Sequence, residues 1–288
     1  PAGQGHAAGQ RLTVGAFVQS LPGEVTFFAL SPCQDHALPD PAANSSQPSL
    51  MDVILPVYRE ADAVAEVVDA VTAFSARRDD LRFHFVDDGS PDDTAEVVES
   101  RLSQSPTDRV RLLRYQENRG KGFAVRYAVE RCEAPLVMFM DGDLAYSLEH
   151  IDQVRQALGR SDVAMGSRWL TENAVLNQRG LLRRVMGESF NGLARWMCGL
   201  DYPDTQAGLK GFRREAADAI FQRLTIFRYA FDVEVLYLAR RLNYRIEPIA
   251  ARVSPSHADQ PTSINLIRDP ANMFGDLLRI RLNAMRGR

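Results

Sequence analysis

Short apolar runs alternate with helical patterns of polar and apolar residues from Met51 to about residue 165. The first run, Met51–Val57, has the composition of a buried strand. The next segment places four valines at the i, i+3, i+4 and i+7 spacing of one helix face: Val64, Val67, Val68 and Val71. The alternation then repeats, with predicted strands at Leu81–Val86, Val110–Tyr115, Leu136–Met140 and Val163–Met165 and predicted helices at Asp92–Leu102, Gly122–Cys132 and Leu148–Leu158. Strands that alternate with such helices predict βαβ units and a largely parallel sheet with helices on both faces.

The rest of the chain divides into a helix-rich second half and a first segment with little pattern. Further helices are predicted at Leu181–Cys198, Arg214–Arg223, Phe231–Leu242 and about Asn272–Leu282, and further strands at Gly208–Phe212 and Arg245–Ala251. Residues 1–49 are rich in Gly, Ala, Pro, Ser and Gln and show little periodicity. The sequence therefore predicts an N-terminal extension over residues 1–49 and one α/β domain over residues 50–288.

Composition places the chain among ordinary globular proteins. Hydrophobic residues make up 45% and charged residues 25% of the 288 positions, and the formal net charge is -3. This balance provides no overall basic field that would attract nucleic acid. Three cysteines are too few and too scattered for a disulfide framework or a zinc site: Cys33, Cys132 and Cys198. This cysteine usage fits a reducing cytoplasm, where we expect the protein. No run reaches the roughly 18 apolar residues of a membrane span.

Acidic residues follow two of the predicted strands at the same edge of the sheet. Asp87 and Asp88 follow the second strand, and Asp141 and Asp143 flank Gly142 after the fourth. Ligands of parallel α/β sheets bind at the carboxyl ends of the strands, and Mg²⁺ or Mn²⁺ prefers oxygen ligands. A surface Asp-Gly turn is the alternative for either cluster taken alone. Two clusters that each end a buried strand favour a metal and phosphate site.

Seven motifs in order along the chain resemble those of family 2 glycosyltransferases of the GT-A fold. They are Val53–Glu60, Val86–Ser90, Asn118–Gly122, Met140–Leu144, Gly166–Arg168, Asp204–Phe212 and Phe231–Glu234. Within this family the chain is most similar to the dolichyl-phosphate β-glucosyltransferases and their bacterial polyprenyl-phosphate relatives. The resemblance implies a Rossmann-like α/β fold, with a mostly parallel central sheet and flanking helices. It also implies that residues 50–165 bind the nucleotide sugar and that residues 166–288 bind the acceptor.

The resemblance assigns the motif residues of the first half to the nucleotide-sugar donor. Asp88 matches the carboxylate that accepts a hydrogen bond from the uracil ring. Asp141 and Asp143 match the pair that holds Mg²⁺ or Mn²⁺ on the diphosphate, where the metal stabilises the leaving nucleoside diphosphate. Lys121 opens a predicted helix, where backbone N–H groups and its ammonium would meet a phosphate. The full predicted donor set is Pro56, Tyr58, Glu60, Asp87, Asp88, Gly89, Lys121, Asp141 and Gly142.

Motif residues of the second half are predicted to contact the acceptor, since an arginine guanidinium suits phosphate oxygens. The predicted acceptor set is Arg168, Arg183, Gln206, Lys210 and Asp232. Asp204 is predicted to act either as a general base or as the group that orients the acceptor. With Asp143 and Arg168 it completes the predicted catalytic set. Asp232 and Glu234 lie two positions apart at the start of a predicted helix, so at most one of them faces the crevice.

The expected reaction is a metal-dependent, inverting transfer of a hexose from a nucleotide sugar. At Gln206 and Lys210 the chain resembles the glucosyl branch of the family rather than the mannosyl one, which implies UDP-glucose as the donor over the alternative, GDP-mannose. A polyprenyl or dolichyl phosphate is the expected acceptor, and a hydroxyl-bearing small molecule is the alternative. A non-enzymatic sugar-nucleotide-binding module is disfavoured because the carboxylates of the motifs are intact.

Three positions depart from the family's usual residues. Arg59 replaces a usual Asn, Ala145 stands where mannosyl-phosphate synthases have Gln, and Ile264 stands where Lys is common.

The last predicted helix combines apolar and basic residues, namely Leu277, Leu278, Ile280 and Leu282 with Arg279, Arg281, Arg286 and Arg288. This combination predicts either peripheral contact with an anionic membrane or packing on the domain.

Overall fold

The computed structural model describes residues 50–171, 191–202, 204–228, 230–254 and 268–285. All of them lie in the compact unit Ala43–Arg288. The predicted extension over residues 1–49 and the predicted site residue Arg183 lie outside the described residues. The predicted helix Leu181–Cys198 is described from residue 191 onward and is helical to residue 198. The division into a donor half and an acceptor half stays a prediction.

The described residues contain seven strands and eight α-helices. The strands are β1 (Met51–Val57), β2 (Leu81–Asp87), β3 (Val110–Arg114), β4 (Leu136–Met140), β5 (Val163–Ser167), β6 (Leu209–Arg213) and β7 (Ile246–Ala250). The helices are α1 (Val64–Ser75), α2 (Thr94–Gln104), α3 (Lys121–Val129), α4 (His150–Leu158), α5 (residues 191–198), α6 (Arg214–Phe221), α7 (Phe231–Arg241) and α8 (Arg268–Met285). A short 3₁₀ helix, Arg168–Leu170, follows β5.

The seven strands form one sheet in the order β3-β2-β1-β4-β6-β5-β7. Strand β1 pairs in parallel with β2 and β4, β2 with β3, and β5 with β7. Strand β6 runs antiparallel to both of its neighbours, β4 and β5. The predicted mostly parallel sheet is therefore confirmed. Because β6 is reversed, its first residue, Leu209, pairs with Met140, the last residue of β4. The segment before β6 thus reaches the edge where the parallel strands end.

Apolar side chains cover both faces of the sheet, as expected when helices pack on each side. Leu55 and Phe83 belong to the cluster that packs against α1 and α4. Ile54 and Phe139 point to the other face and pack against α3, α6 and α7. A third cluster joins α5 and α7 to Leu277 of α8. These clusters hold the strand ends, and the loops that follow them, in fixed positions.

Several helix boundaries differ from the prediction by a few residues, among them the starts of α2 at Thr94 and of α4 at His150. Helix α3 spans Lys121–Val129 rather than Gly122–Cys132, and Gly120 precedes it at φ 96, a conformation that favours glycine. Helix α8 begins at Arg268 rather than near Asn272, because a proline in the first turn, Pro270, is compatible with a helix. No helix in the described ranges is long and apolar enough to cross a membrane.

Candidate active site

The two metal-binding candidates lie on the turn that follows β4. Asp141 is the first residue after the strand, and its side chain is 32% exposed. Its backbone N–H donates a hydrogen bond to the Gly208 carbonyl at 3.0 Å. The Asp143 carboxylate accepts one from the Ala145 backbone N–H at 2.9 Å. Two carboxylates on one partly exposed turn offer oxygen ligands, which is the donor set that suits Mg²⁺ or Mn²⁺.

Two glycines leave room for this turn. A Cβ atom at Gly142 would collide with the Pro56 carbonyl at the end of β1. A Cβ atom at Gly208 would collide with the Asp141 carboxylate. Sequence analysis assigns a role to Gly142 but none to Gly208. The importance of Gly208 arises from the antiparallel pairing of β4 with β6, which local sequence does not reveal.

Lys121 reaches Asp141 from the first turn of α3. Its ammonium contacts Asp141 Oδ1 and lies 5.8 Å from the centres of both the Phe139 and the Phe231 rings. Burial acts to lower the pKa of Lys121, but the charges of Asp141 and Asp232 outweigh burial and raise it. Lys121 is therefore a charged lysine beside the predicted metal pair. Its predicted contact with a phosphate stays a prediction.

The second lysine of the chain lies close to the first. Lys121 and Lys210 are the only two lysines in the sequence. The ammonium of Lys210 is buried, donates to Asp232 Oδ1 at 2.5 Å and to the Ala207 carbonyl at 2.8 Å, and lies 5.6 Å from the centre of the Phe139 ring. Lys210 and Asp232 thus form a buried ion pair under the site. Their predicted contacts with the acceptor stay predictions.

Asp232 and Glu234 point to different partners, in agreement with their helical spacing. Glu234 accepts hydrogen bonds from the Thr225 backbone N–H at 2.9 Å, the Thr225 hydroxyl at 2.6 Å and the Ile226 backbone N–H at 2.6 Å. These bonds hold the loop before α7. Glu234 is therefore structural, whereas Asp232 faces the two lysines.

Asp88 is buried and organises the loop that leads into α3. Its carboxylate accepts hydrogen bonds from the Tyr115 hydroxyl at 2.6 Å, the Asn118 amide at 2.9 Å and the backbone N–H groups of Arg119 and Gly120 at 2.8 and 2.9 Å. Burial and the hydrogen bond to Asp88 raise the pKa of Tyr115. By accepting these bonds, the Asp88 carboxylate fixes the backbone directly before Lys121. A contact between Asp88 and a uracil ring stays a prediction, and sequence analysis overlooked Tyr115.

The turn after β2 is tight and packs on this same loop. Asp87 is buried and accepts a hydrogen bond from the Ser90 backbone N–H at 3.2 Å. Gly89 has φ 63, and a Cβ atom there would lie 2.6 Å from the Glu117 carbonyl carbon. The turn is therefore accessible to glycine alone without rearrangement. The predicted donor contacts of Asp87 and Gly89 stay predictions.

The loop after β1 presents an aromatic ring at the same edge. The Tyr58 side chain is 36% exposed, and the Arg59 guanidinium lies 5.2 Å from the centre of its ring. The Glu60 backbone N–H donates to the Thr94 hydroxyl at 2.9 Å, which ties this loop to α2. Arg59 has φ 59, a left-handed conformation that Asn adopts more readily than Arg. The family's usual Asn at this position therefore has a backbone reason.

Arg168 and Asp204 form a third ion pair of the site, after Lys121 with Asp141 and Lys210 with Asp232. The guanidinium donates from Nε to Asp204 Oδ2 at 2.7 Å and from Nη2 to Oδ1 at 2.9 Å, and the Arg168 backbone N–H adds a bond of 3.0 Å. The Gln206 backbone N–H also donates to Asp204, at 3.3 Å. Burial acts to raise the pKa of Asp204, but the hydrogen bonds and charge of Arg168 lower it. A carboxylate held in this way is a weak base.

Tyr146 interacts electrostatically with Asp141, Asp204 and Arg168, and sequence analysis missed it. Its side chain is buried. Burial, together with the charges of Asp141 and Asp204, raises its pKa against the opposing charge of Arg168. The tyrosine therefore packs within electrostatic reach of Asp141 and of the Arg168–Asp204 pair. Its place three residues after Asp143 is the signal that could have indicated it.

Comparison with known sequences agrees with this geometry. The sequence model of glycosyl transferase family 2 matches residues 52–221. The chain belongs to this family. It is 30% identical over 249 residues to the dolichyl-phosphate beta-glucosyltransferase of Dictyostelium discoideum, a match that covers 82% of this chain and 75% of that protein. It is also 30% identical over 240 residues to the human protein of the same description, with 79% and 74% covered.

Solved structures confirm the GT-A fold of this family 2 glycosyltransferase. Glucosyl-3-phosphoglycerate synthase from Mycobacterium tuberculosis, in complex with Mg²⁺ and UDP, superposes with a TM-score of 0.57 at 15% identity, covering 82% of this chain and 79% of that one. A mannosyltransferase from Pyrobaculum calidifontis, in complex with GDP-Man and Mn²⁺, gives a TM-score of 0.50 at 21% identity, covering 75% and 57%. At these identities the likeness shows the fold and not the substrate.

Proposed function

We propose that this enzyme transfers a hexose, with glucose favoured, from its UDP-sugar to a polyprenyl or dolichyl phosphate. The relatives described as dolichyl-phosphate beta-glucosyltransferases support glucose as the sugar and a dolichyl phosphate as the acceptor. The acceptor phosphate oxygen attacks the anomeric carbon with inversion while UDP leaves. The new bond is a glycosyl phosphate ester, so the sugar changes one phosphate partner for another.

The observation that carries this proposal is the pairing of Asp204 with Arg168. A hydroxyl acceptor needs a base to remove its proton, but a phosphate oxygen is already ionised at neutral pH. Asp204 has a lowered pKa and is held by two guanidinium hydrogen bonds, so it suits the acceptor that needs no base. Arg168 has five N–H donors and spends two of them on Asp204, which leaves about three for phosphate oxygens. In this proposal Asp204 orients Arg168.

Asp141 and Asp143 would hold Mg²⁺ or Mn²⁺ on the donor diphosphate. The partly exposed oxygen ligands described above fit such an ion. When bound, the metal supplies Lewis-acid stabilisation of the charge that develops on the leaving diphosphate. The ammonium of Lys121 is close enough to Asp141 to contact the same diphosphate. The exposed ring of Tyr58 offers a surface on which a uracil base would stack.

Helix α8 supports a peripheral contact with an anionic membrane, where a lipid phosphate acceptor would be found. Three large apolar residues at i, i+4 and i+8 are 43–46% exposed: Phe274, Leu278 and Leu282. Leu277 and Ile280 are buried on the opposite side. Arg279 and Arg281 are exposed beside the apolar stripe, an arrangement typical of helices that lie on membrane surfaces. The division into a donor half over 50–165 and an acceptor half over 166–288 belongs to the same proposal.

A matched pair of acceptors tests the reaction. The purified enzyme is incubated with UDP-glucose, Mn²⁺ and either a short polyprenyl phosphate or the corresponding free polyprenol. We expect transfer to the phosphate alone, and the loss of that transfer with EDTA. Transfer to the polyprenol instead would assign a hydroxyl acceptor. Faster transfer from GDP-mannose than from UDP-glucose would assign the mannosyl donor.

A second experiment tests the membrane contact. Co-sedimentation with phosphatidylglycerol vesicles, with phosphatidylcholine vesicles as the control, measures the binding. We expect binding to the anionic vesicles and at least a severalfold loss in Leu278→Glu. Equal and negligible binding to both kinds of vesicle would show that α8 serves only to pack on the domain.

A further inference from the structure

The ammonium group of Lys121 lies against Asp141, one of the two carboxylates of the proposed metal site. The ammonium contacts Asp141 Oδ1, and the Asp141 side chain is about one third exposed. We infer that Lys121 competes with the divalent cation for Asp141, and that Lys121 thereby keeps metal affinity low until the donor diphosphate arrives. This inference rests on the proposed metal site at Asp141 and Asp143.

Hydrogen bonds and packing hold the backbone around Lys121 in place, so that its side chain stays within reach of Asp141. The carboxylate of Asp88 holds the backbone N–H groups of Arg119 and Gly120. The Gly122 backbone N–H donates to the Phe227 carbonyl at 2.9 Å. A Cβ atom at Gly122 would lie 2.8 Å from Phe231 Cβ, so the start of α3 is packed tightly against the loop before α7. The ammonium therefore moves by rotation of its own side chain and not by movement of the helix.

The neighbouring carboxylate gives the ammonium no equal alternative. Asp232 raises the pKa of Lys121 through its charge, but its Oδ1 already accepts a short hydrogen bond from Lys210. When a metal ion takes Asp141, the ammonium loses this contact and becomes available to another anion. The diphosphate of the donor is such an anion, because it lies on the same metal in the proposed function. Metal and nucleotide are then expected to bind with positive cooperativity that depends on Lys121.

The residue type at this position is informative within the chain itself. Of the 34 lysine and arginine residues, all except Lys121 and Lys210 are arginines. An arginine would form a two-point pair with Asp141 and would leave it less readily, whereas an ammonium on a flexible stem makes a single movable contact. A lysine is therefore the residue suited to exchange between Asp141 and a phosphate.

Measurement of Mn²⁺ affinity by electron paramagnetic resonance, without nucleotide, tests the inference. We expect Lys121→Met to bind Mn²⁺ about tenfold more tightly than the wild type, since a nearby positive charge is removed. The matched control is Arg119→Met, which removes an exposed guanidinium that lies over the Phe123 ring, two positions away. We expect Mn²⁺ affinity within about twofold of the wild type in this control, because exposed charges are well screened.

A second measurement tests the exchange. With saturating UDP, the difference in Mn²⁺ affinity between Lys121→Met and the wild type should shrink or reverse, because the variant lacks the ammonium that contacts the diphosphate. Circular dichroism and thermal melts of each variant check that the fold is kept. Equal or weaker Mn²⁺ binding by a folded Lys121→Met would overturn the inference and leave the metal site standing. Failure of the wild type to bind Mn²⁺ with or without UDP would overturn the metal site as well.

Discussion

The sheet carries two clusters of charged side chains, and they differ in how completely their hydrogen bonds are used. One is the turn that carries Asp141 and Asp143 at the carboxyl end of β4, together with Lys121, and Asp141 there is partly exposed. The other, which we call the Asp52 cluster, consists of Asp52, Arg82, His84 and Arg111, near the starts of β1, β2 and β3. Both clusters combine carboxylates with cations, which come from helix α3 in the first cluster and from strands β2 and β3 in the second. Their polar atoms are nevertheless engaged in different ways.

We call the Asp52 cluster closed, because hydrogen bonds within the protein occupy the whole Asp52 carboxylate. Asp52 is fully buried and accepts hydrogen bonds from Arg82 at 2.8 and 3.1 Å, from His84 Nε2 at 2.9 Å and from the backbone N–H groups of Glu133 and Ala134 at 3.0 and 2.9 Å. His84 Nδ1 in turn accepts from Arg111 Nε at 2.7 Å. A carboxylate with this many donors has no capacity left for a ligand.

Cys132 does not turn this cluster into a metal centre. Ligand atoms of Asp52, His84 and Cys132 lie within 4.8 Å of one another, a spacing that a metal ion could use. Burial raises the pKa of the Cys132 thiol to about 12, so the thiol keeps its proton. A metal would also have to displace Arg82 and Arg111. Proximity of ligand-type residues thus indicates a site only where their hydrogen bonds leave capacity, as at Asp141 and Asp143.

The largest effect, on stability, is expected from a substitution that removes the central carboxylate of the Asp52 cluster. Asp52→Ala leaves a buried histidine, an arginine and two backbone N–H groups without their acceptor, so we expect a loss of about 3–5 kcal/mol in the free energy of unfolding. Urea unfolding measures it. Binding of UDP with Mn²⁺ by the folded fraction should be unchanged. A stability loss below about 1 kcal/mol would show that the cluster is not the closed network described here.

The second effect concerns the open site. Asp143→Ala removes one of two proposed metal ligands, and we expect a fall of about 10²–10³-fold in the rate of transfer. Calorimetry of UDP with Mn²⁺ should show a matching loss of the metal-dependent part of the affinity, while urea stability changes little. UDP affinity that is equal in variant and wild type, and insensitive to EDTA, would refute the assignment.

A smaller effect is expected from Arg168→Ala. Loss of a charge-assisted contact with phosphate costs about 1.5–3 kcal/mol, which corresponds to about a tenfold to hundredfold rise in the KM for a polyprenyl phosphate. The KM for UDP-glucose serves as the internal control and should change little. An acceptor KM unaltered by Arg168→Ala would contradict the phosphate contact.

A related prediction concerns Asp204. In Asp204→Asn, transfer should persist at a reduced level without a new pH dependence, because no base is removed.

The smallest effect is a pH dependence of stability that originates in the closed cluster. Burial lowers the pKa of His84 below its ordinary value of 6.5, although Asp52 acts in the opposite direction. The folded state therefore favours neutral His84, and this contribution is complete above pH 6.5 and declines as the pH falls. The slope for one proton is at most about 1.4 kcal/mol per pH unit. Urea midpoints of the wild type and of His84→Gln between pH 7.5 and 5 should diverge, with the variant flatter. Parallel curves would contradict this account.

Local sequence is sufficient for the elements and for the motif residues that end them. Met51–Val57 and Leu136–Met140 match the observed strands residue for residue, because short apolar runs with turn signals leave few alternatives. Asp87, Asp88, Asp141 and Asp143 lie where the strand ends predict them. Family membership follows from the same motifs and is confirmed by the match over residues 52–221.

Tertiary structure alone determines which of these residues still have capacity for a ligand. The reversed strand β6 brings Gly208 against Asp141 and Asp204 against Arg168, and neither contact is encoded by spacing along the chain. Lys121 and Lys210 look alike in sequence, yet the first is partly exposed beside the metal pair and the second is buried against Asp232. The sequence by itself determines the types and the order of charged residues. Their burial and their hydrogen-bond partners, which set pKa and free coordination positions, depend on strands that meet only after folding.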